Sequence, residues 1–240
     1  MKVELQKRIL TSIILIFLIS LSLYLGPSAK AIAVLILIAI AYNEFNNLVE
    51  KFYRYPNPYS LQTGFKYLLI HVLIFWLFLN VWITSFILLL NIYDFIFVLA
   101  VCIFSDVGGY IVGKTIKGPK LTKISPNKTI SGSIGSFLFS FIPLIILNYF
   151  LPDNFSLSKS NIIFCLEITI VCQLGDLFIS YFKRKAKVKD TGKILPGHGG
   201  LLDRIDGIIF ALPYASYRLY ELAHPFSLEY YLDTYNIFIR

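Results

Sequence analysis

"YDFIFVLAVCIFSDVGGYIVG", residues 93 to 113, is an apolar run of twenty-one residues broken by charge only at Asp94 and Asp106. A helix of that length rises ~30 Å, which is the thickness of a bilayer's hydrocarbon core. Working outward, similar windows lie at 9–25, 31–48, 67–91, 130–151, 161–182 and 205–220. The expected fold is therefore all-α, a polytopic transmembrane helical bundle of about 7–9 membrane helices. Seven windows set the lower bound. The 67–91 run, which carries His71 and Asn80, reads equally as one tilted helix or two short ones.

Composition agrees with this reading. The 240 residues are 57% hydrophobic and 15% charged, against roughly 25% charged for a soluble domain. The net charge of +8 does not point to nucleic acid, because the basic residues gather in the gaps between apolar windows. Lys2, Lys7 and Arg8 precede the first window, Lys51, Arg54 and Lys66 follow the second, Lys114 to Lys128 follow the fourth and Lys183 to Lys193 the sixth. The positive-inside rule places all four groups in the cytoplasm, together with the N-terminus. The first window has the basic head of a signal peptide, but a second spanning window follows at once, so it is expected to be retained. Cys102, Cys165 and Cys172 lie within apolar windows and read as small packing residues.

Polarity along the windows changes near residue 105. Residues 1–104 read as an N-terminal transmembrane scaffold, and 105–240 as a catalytic transmembrane region with cytoplasmic polar loops. Asp106 sits within a spanning window, where a carboxylate costs at least ~2.5 kcal/mol unless water, a partner or a cation meets it. It either serves function or reaches the interface. The stretch "GGYIVGKT", Gly108 to Thr115, satisfies the Walker A pattern letter for letter. That motif needs a strand before it and a helix after it, and here a membrane helix precedes it. Gly108, Gly109 and Gly113 are instead expected to let helices approach closely. Next, "SPNKTISG" offers Ser125, Asn127, Lys128 and Thr129 before a helix start, suited either to holding an anion or to capping.

Asp176 lies two turns before the cluster Lys183, Arg184, Lys185, Lys187 and Lys189, of which Lys185 and Lys187 read as surface charge. The densest polar stretch is "KDTGKILPGHGGLLDRID", residues 189 to 206, with three aspartates, two lysines, a histidine, an arginine and four glycines. Its glycines suit an anion-binding concavity. Asp203 and Asp206, three apart, share one face if helical. Facing Asp176, they offer the oxygen ligands that Mg²⁺ takes alongside water and phosphate. The stretch reads as a site for a metal-bound polyphosphate within reach of a lipid headgroup. His198 either donates to a phosphate or simply occupies a turn.

These residues resemble the signature of the bacterial phosphatidate cytidylyltransferases, or CDP-diacylglycerol synthases. The matching positions are Ser180, Lys183-Arg184, Lys189-Asp190, Pro196-Gly197-His198-Gly199-Gly200, Asp203-Arg204 and Asp206. Gln173, Gly175-Asp176-Leu177, Asp106, Tyr110, Gly113-Lys114, Ser125-Pro126 and Lys128-Thr129 are similar too, so the resemblance covers about residues 104 to 207. Two positions depart from it. Ser131 stands where Glu or Gln is usual, and Gly207 where Ser is common.

The resemblance implies transfer of a cytidylyl group from CTP to phosphatidic acid in the bilayer, giving CDP-diacylglycerol and pyrophosphate. It implies Mg²⁺ as cofactor, leaves a second, monovalent cation and a homodimer open, and places the protein in the bacterial inner membrane. The lipid phosphate is already an anionic nucleophile, so the reaction needs charge neutralisation and in-line positioning more than a general base. In this reading Asp176 and Asp203 bind Mg²⁺, with Asp206 as a further ligand or supporting carboxylate. Lys128, Lys183, Arg184, Lys189 and Arg204 hold phosphates, and His198 shapes the loop with Gly199 and Gly200. Ser125 and Thr129 contribute to substrate binding, while Asp106 and Asp190 are functional without an assigned role. Two other readings compete: a CTP-dependent polyprenol kinase, and a cation transporter with Asp106, Asp176 and Asp206 along its path. The clustering of charge at one face counts against transport.

Overall fold

The computed structural model describes residues 25–53, 61–122, 124–197 and 199–223, with parts of 11–24. His198 and the segment after Ala223 therefore lie outside the described residues. The described elements are α1 (Pro27–Tyr53), α2 (Leu61–Leu90), α3 (Ile92–Ile116), α4 (Ile130–Phe139), α5 (Ile142–Phe150), α6 (Lys159–Lys185), α7 (Leu202–Ile205) and α8 (Ile208–Ala223). Among the described residues there is no strand, only two isolated bridge pairs, Lys120 with Thr129 and Leu195 with Gly199.

Among the described residues, five helical stretches are long and apolar enough to cross a membrane: Ser28–Lys51, Leu68–Ser85, Ile92–Ile116, Ile130–Phe150 and Lys159–Lys185. This fits a multi-pass membrane protein. The 67–91 run forms one continuous helix. The expected single helix over 130–151 is broken at Ser140 and Phe141, where Pro143 opens α5 and cannot extend the hydrogen-bond ladder of α4. The 205–220 window becomes α8, sixteen residues with Pro213 inside it. The 9–25 window lies partly outside the described residues.

Helix ends follow local chemistry. Asn91 caps α3 by accepting from the Tyr93 N–H, and Asp94 sits in the first turn, where a carboxylate complements the exposed N–H groups. Ser158 caps α6, whose last turn carries Lys183, Arg184 and Lys185 against the carbonyl end. The bundle's outside is apolar, as a lipid-facing surface must be: Leu68, Val72, Phe75 and Trp76 of α2 are all more than half exposed.

Two internal clusters hold the helices together. One joins α3, α5, α6 and α8 through Val98, Val101, Leu144, Phe164, Ile168 and Ala211, with Cys102, Cys165 and Cys172 buried in it as free thiols. The other joins α1 and α2 to α6, α7 and α8 through Ala41, Phe45, Phe78, Ile179, Leu202 and Ile209. The first-half helices thus share a core with the segment that carries the polar loops.

Among the described elements, α3 packs most extensively against α4. A Cβ on Gly135 would stand 2.7 Å from the Gly108 carbonyl, and one on Gly132 2.8 Å from the Gly109 carbonyl. Gly113 faces the Cα of Gly132 in the same seam. The Walker-like glycines therefore lie within a helix and serve backbone approach, the small-residue mode of packing in bilayers.

Candidate functional site

The α3–α4 seam sets one wall of a cavity of about 290 Å³. Asp106, Tyr110, Ser125, Lys128, Thr129 and Gln173 line it. Asp106 is ten residues before the end of α3, ~15 Å along the axis, so it lies well inside the helix and not within its last turn. The loop before α4 is folded tightly: the Leu121 N–H donates to the Lys128 carbonyl at 2.8 Å, and the Ile130 N–H to the Pro119 carbonyl at 3.0 Å. Thr129 caps α4 by accepting from the Gly132 N–H at 3.0 Å. Ser131, one of the two departures, contacts the Thr129 hydroxyl at 3.0 Å and donates to the Lys117 carbonyl, so here it braces the loop.

Lys128 leaves this loop to reach α6. Its Nζ lies 2.7 Å from Asp176 Oδ2. The other oxygen, Asp176 Oδ1, is buried and accepts no hydrogen bond. Asp206 stands beside Asp176, and Asp106 is near enough for its charge to act on both. The reason Asp176 and Asp206 meet is again glycine. A Cβ on Gly175 would stand 2.9 Å from the Asp206 carbonyl, and one on Gly207 2.8 Å from the Cys172 carbonyl. Gly207, the second departure, sits where the α7–α8 junction presses on α6. Three carboxylates thus gather near Lys128, with Lys183 also reaching Asp206, and one buried Asp176 oxygen is left without a hydrogen-bond partner.

Asp203 belongs to a second neighbourhood. Its Oδ1 accepts from Lys183 Nζ at 2.8 Å, and its Oδ2 accepts from the Thr191 N–H at 2.8 Å and the Gly200 N–H at 3.1 Å. Burial pushes this carboxyl up, but the Lys183 and Thr191 hydrogen bonds, the lysine charge and the Gly200 amide outweigh it and hold the group below its ordinary 3.8. Lys183 links the two neighbourhoods, since its charge also reaches Asp206. Asp203 and Asp206 do share the short α7 region, yet they turn to different partners.

Arg184 is exposed and donates from Nε to the Ile124 carbonyl at 3.4 Å. Lys189, Asp190 and Arg204 are exposed, and a Cβ on Gly199 would stand 3.3 Å from the Asp190 Cβ. Among the described residues, no group of three or more His, Cys, Asp or Glu is spaced as a ready-made metal cage.

Glu44 and its partner Thr191 were not anticipated in this site. Glu44 of α1, 3% exposed, reaches the 190–202 loop from the first-half scaffold and accepts three hydrogen bonds there. Its signal in sequence is a lone carboxylate within the 31–48 apolar window.

Residues 59–222 match the model of the cytidylyltransferase family. The chain is also similar to proteins named phosphatidate cytidylyltransferase. One from Rickettsia bellii (strain RML369-C) is 45% identical over 114 residues, covering 45% of this chain and 49% of that protein. One from Staphylococcus haemolyticus (strain JCSC1435) is 45% identical over 123 residues, covering 49% and 45%. One from Rickettsia prowazekii (strain Madrid E) is 46% identical over 115 residues, covering 45% and 50%. The chain spans about half the length of these curated relatives.

Proposed function

Because the chain belongs to the cytidylyltransferase family, we propose that it transfers the cytidylyl group of CTP to phosphatidic acid in the membrane, forming CDP-diacylglycerol and pyrophosphate. The observation that carries this reading is the Asp176 constellation. A buried, unpartnered carboxylate oxygen stands beside Asp206, with Lys128 on the other oxygen and, adjoining, a cavity that Lys128 and Asp106 line.

That constellation fits Mg²⁺. The ion commonly takes one or two carboxylates and fills its remaining positions with water and substrate phosphates, so a full protein cage is not required. Asp176 and Asp206 would hold it, with Asp203 available once drawn from Lys183. When bound, Mg²⁺ neutralises charge on the CTP phosphates and on the departing pyrophosphate. The protein's own groups do the positioning. Lys128 presents one positive charge at the cavity, and Lys183 and Arg204 offer others at the α6–α7 end. Ser125, Thr129 and the Gln173 amide supply polar contacts on the cavity wall, while the N–H groups of Gly199 and Gly200 are already given to the Leu195 carbonyl and to Asp203 and so shape the loop instead of holding a phosphate. The lipid phosphate approaches as an anion, so no side chain need remove a proton. The active-site loops face the cytoplasm in this reading, where CTP is found.

The test is the fate of label. With purified protein and phosphatidic acid in detergent, CTP labelled at its α-phosphate should deliver label to lipid, whereas γ-labelled CTP should release it as pyrophosphate. Lipid labelled only from the γ-position would instead indicate a lipid kinase. Cation uptake into proteoliposomes without CTP, with no labelled lipid from either position, would favour transport.

A further inference from the structure

Glu44 lies outside the residues matched by the family model, yet it reaches the site's loop across 147 to 158 positions of sequence. Its Oε2 accepts from the Thr191 hydroxyl at 3.1 Å and from the Leu202 N–H at 2.8 Å, and its Oε1 accepts from the Leu201 N–H at 3.1 Å. One side chain therefore grips both ends of the loop that runs from Asp190 to Asp203. Thr191 is shared: its hydroxyl goes to Glu44 and its N–H to Asp203. The neighbouring residues leave room for this grip. A Cβ at Gly192 would overlap Glu44 Oε1, and one at Gly200 would stand 2.5 Å from Glu44 Oε2. Any other residue at these two positions would force the carboxylate away.

We infer that Glu44 is a positioning residue for the proposed transfer: from α1 it ties Thr191 to Leu201 and Leu202 and so sets where Asp203 and its partner Lys183 stand. This rests on the function proposed above. The physical logic is that a buried carboxylate with three donors is over-determined in place, and a loop tied to it at both ends loses freedom it would otherwise have before substrate arrives. A glutamine cannot replace it, because its NH₂ would face a donating backbone N–H in either orientation, that of Leu201 or that of Leu202.

The experiment uses the full chain and compares wild type with Glu44→Gln and with the milder Thr191→Val, which removes only the hydroxyl donor. Two readouts are taken: hydrogen exchange by segment, and kcat with KM for both α-labelled CTP and phosphatidic acid. Expected in Glu44→Gln is exchange faster by roughly tenfold or more at Thr191, Leu201 and Leu202, with α2 and α3 unchanged. Turnover should fall by roughly tenfold or more while KM for phosphatidic acid holds, and Thr191→Val should lie between. Wild-type exchange and turnover in both variants would overturn the inference. So would exchange that rises equally across α1, α2 and α3, since Glu44 would then serve only the bundle. If wild type transfers no label, the proposed function fails, while the exchange comparison still decides the loop clamp.

Discussion

Lys128 Nζ lies 2.7 Å from Asp176 Oδ2, and the pair ties the loop before α4 to the body of α6 across 48 positions of sequence. Lys128 covers one oxygen and leaves Asp176 Oδ1 buried without a partner. A lysine placed this way holds a carboxylate in orientation and keeps its own charge at the cavity, where it can shift to a phosphate. Lys128→Met should therefore lower kcat/KM for CTP by roughly 100-fold, the scale seen when one electrostatic donor is removed from a reaction centre. Steady-state kinetics checks this, with an unchanged elution profile showing that the variant is folded.

The Asp203 cluster predicts a pH dependence. Its folded carboxyl titrates below its ordinary 3.8, so its contribution to stability is fully present above that value and is lost as pH falls through the lower, folded value. The gap in melting temperature between wild type and Asp203→Asn should be constant from about pH 5 upward and should shrink below about pH 4. Melting curves across that range measure it. A gap that widened on acidification would contradict the Lys183 and amide contacts.

Packing at the α3–α4 seam predicts a stability effect. A side chain at Gly135 would meet the Gly108 carbonyl at 2.7 Å and the Val112 side chain nearby. Gly135→Val should destabilise the bundle by about 1–3 kcal/mol, the usual cost of overpacking, and should distort the cavity wall formed by the same seam. Thermal unfolding in detergent would show the loss.

An ion pair elsewhere provides a control. Arg218 Nε lies 3.1 Å from Glu167 Oε2, joining α8 to α6. Glu167 is nine residues before Asp176 on α6, ~14 Å along the axis. Glu167→Gln should lower the melting temperature, because a pair inside a spanning helix has no water to screen it, and should leave kcat/KM for CTP within about twofold, since the pair shares no partner with Asp176.

The parts of the site that could be read from sequence are those whose signal is local. Asp106 and Asp176 stand out because a carboxylate within an apolar window is costly, and the Gly108, Gly109 and Gly113 cluster is legible because small residues in a spanning helix promote close approach. The break at Ser140 was hidden, because Pro143 lies inside a run apolar enough to cross in one piece. The separation of Asp203 from Asp206 was hidden for a different reason. Their spacing predicts a shared face, but Asp203 is turned by two loop amides and Lys183, and loop geometry carries no periodicity. Glu44 was least legible of all. Its partners lie 147 to 158 positions away, and nothing near it in sequence marks the loop it holds.

The measurement that bears most directly on the account is α-label transfer from CTP to phosphatidic acid as Mg²⁺ is titrated from zero in EDTA, in wild type and Asp176→Asn. The account predicts that wild-type transfer is absent in EDTA and saturates with Mg²⁺, while the variant, folded, stays at background at every concentration. Transfer by wild type in EDTA, or equal transfer by Asp176→Asn, would contradict it.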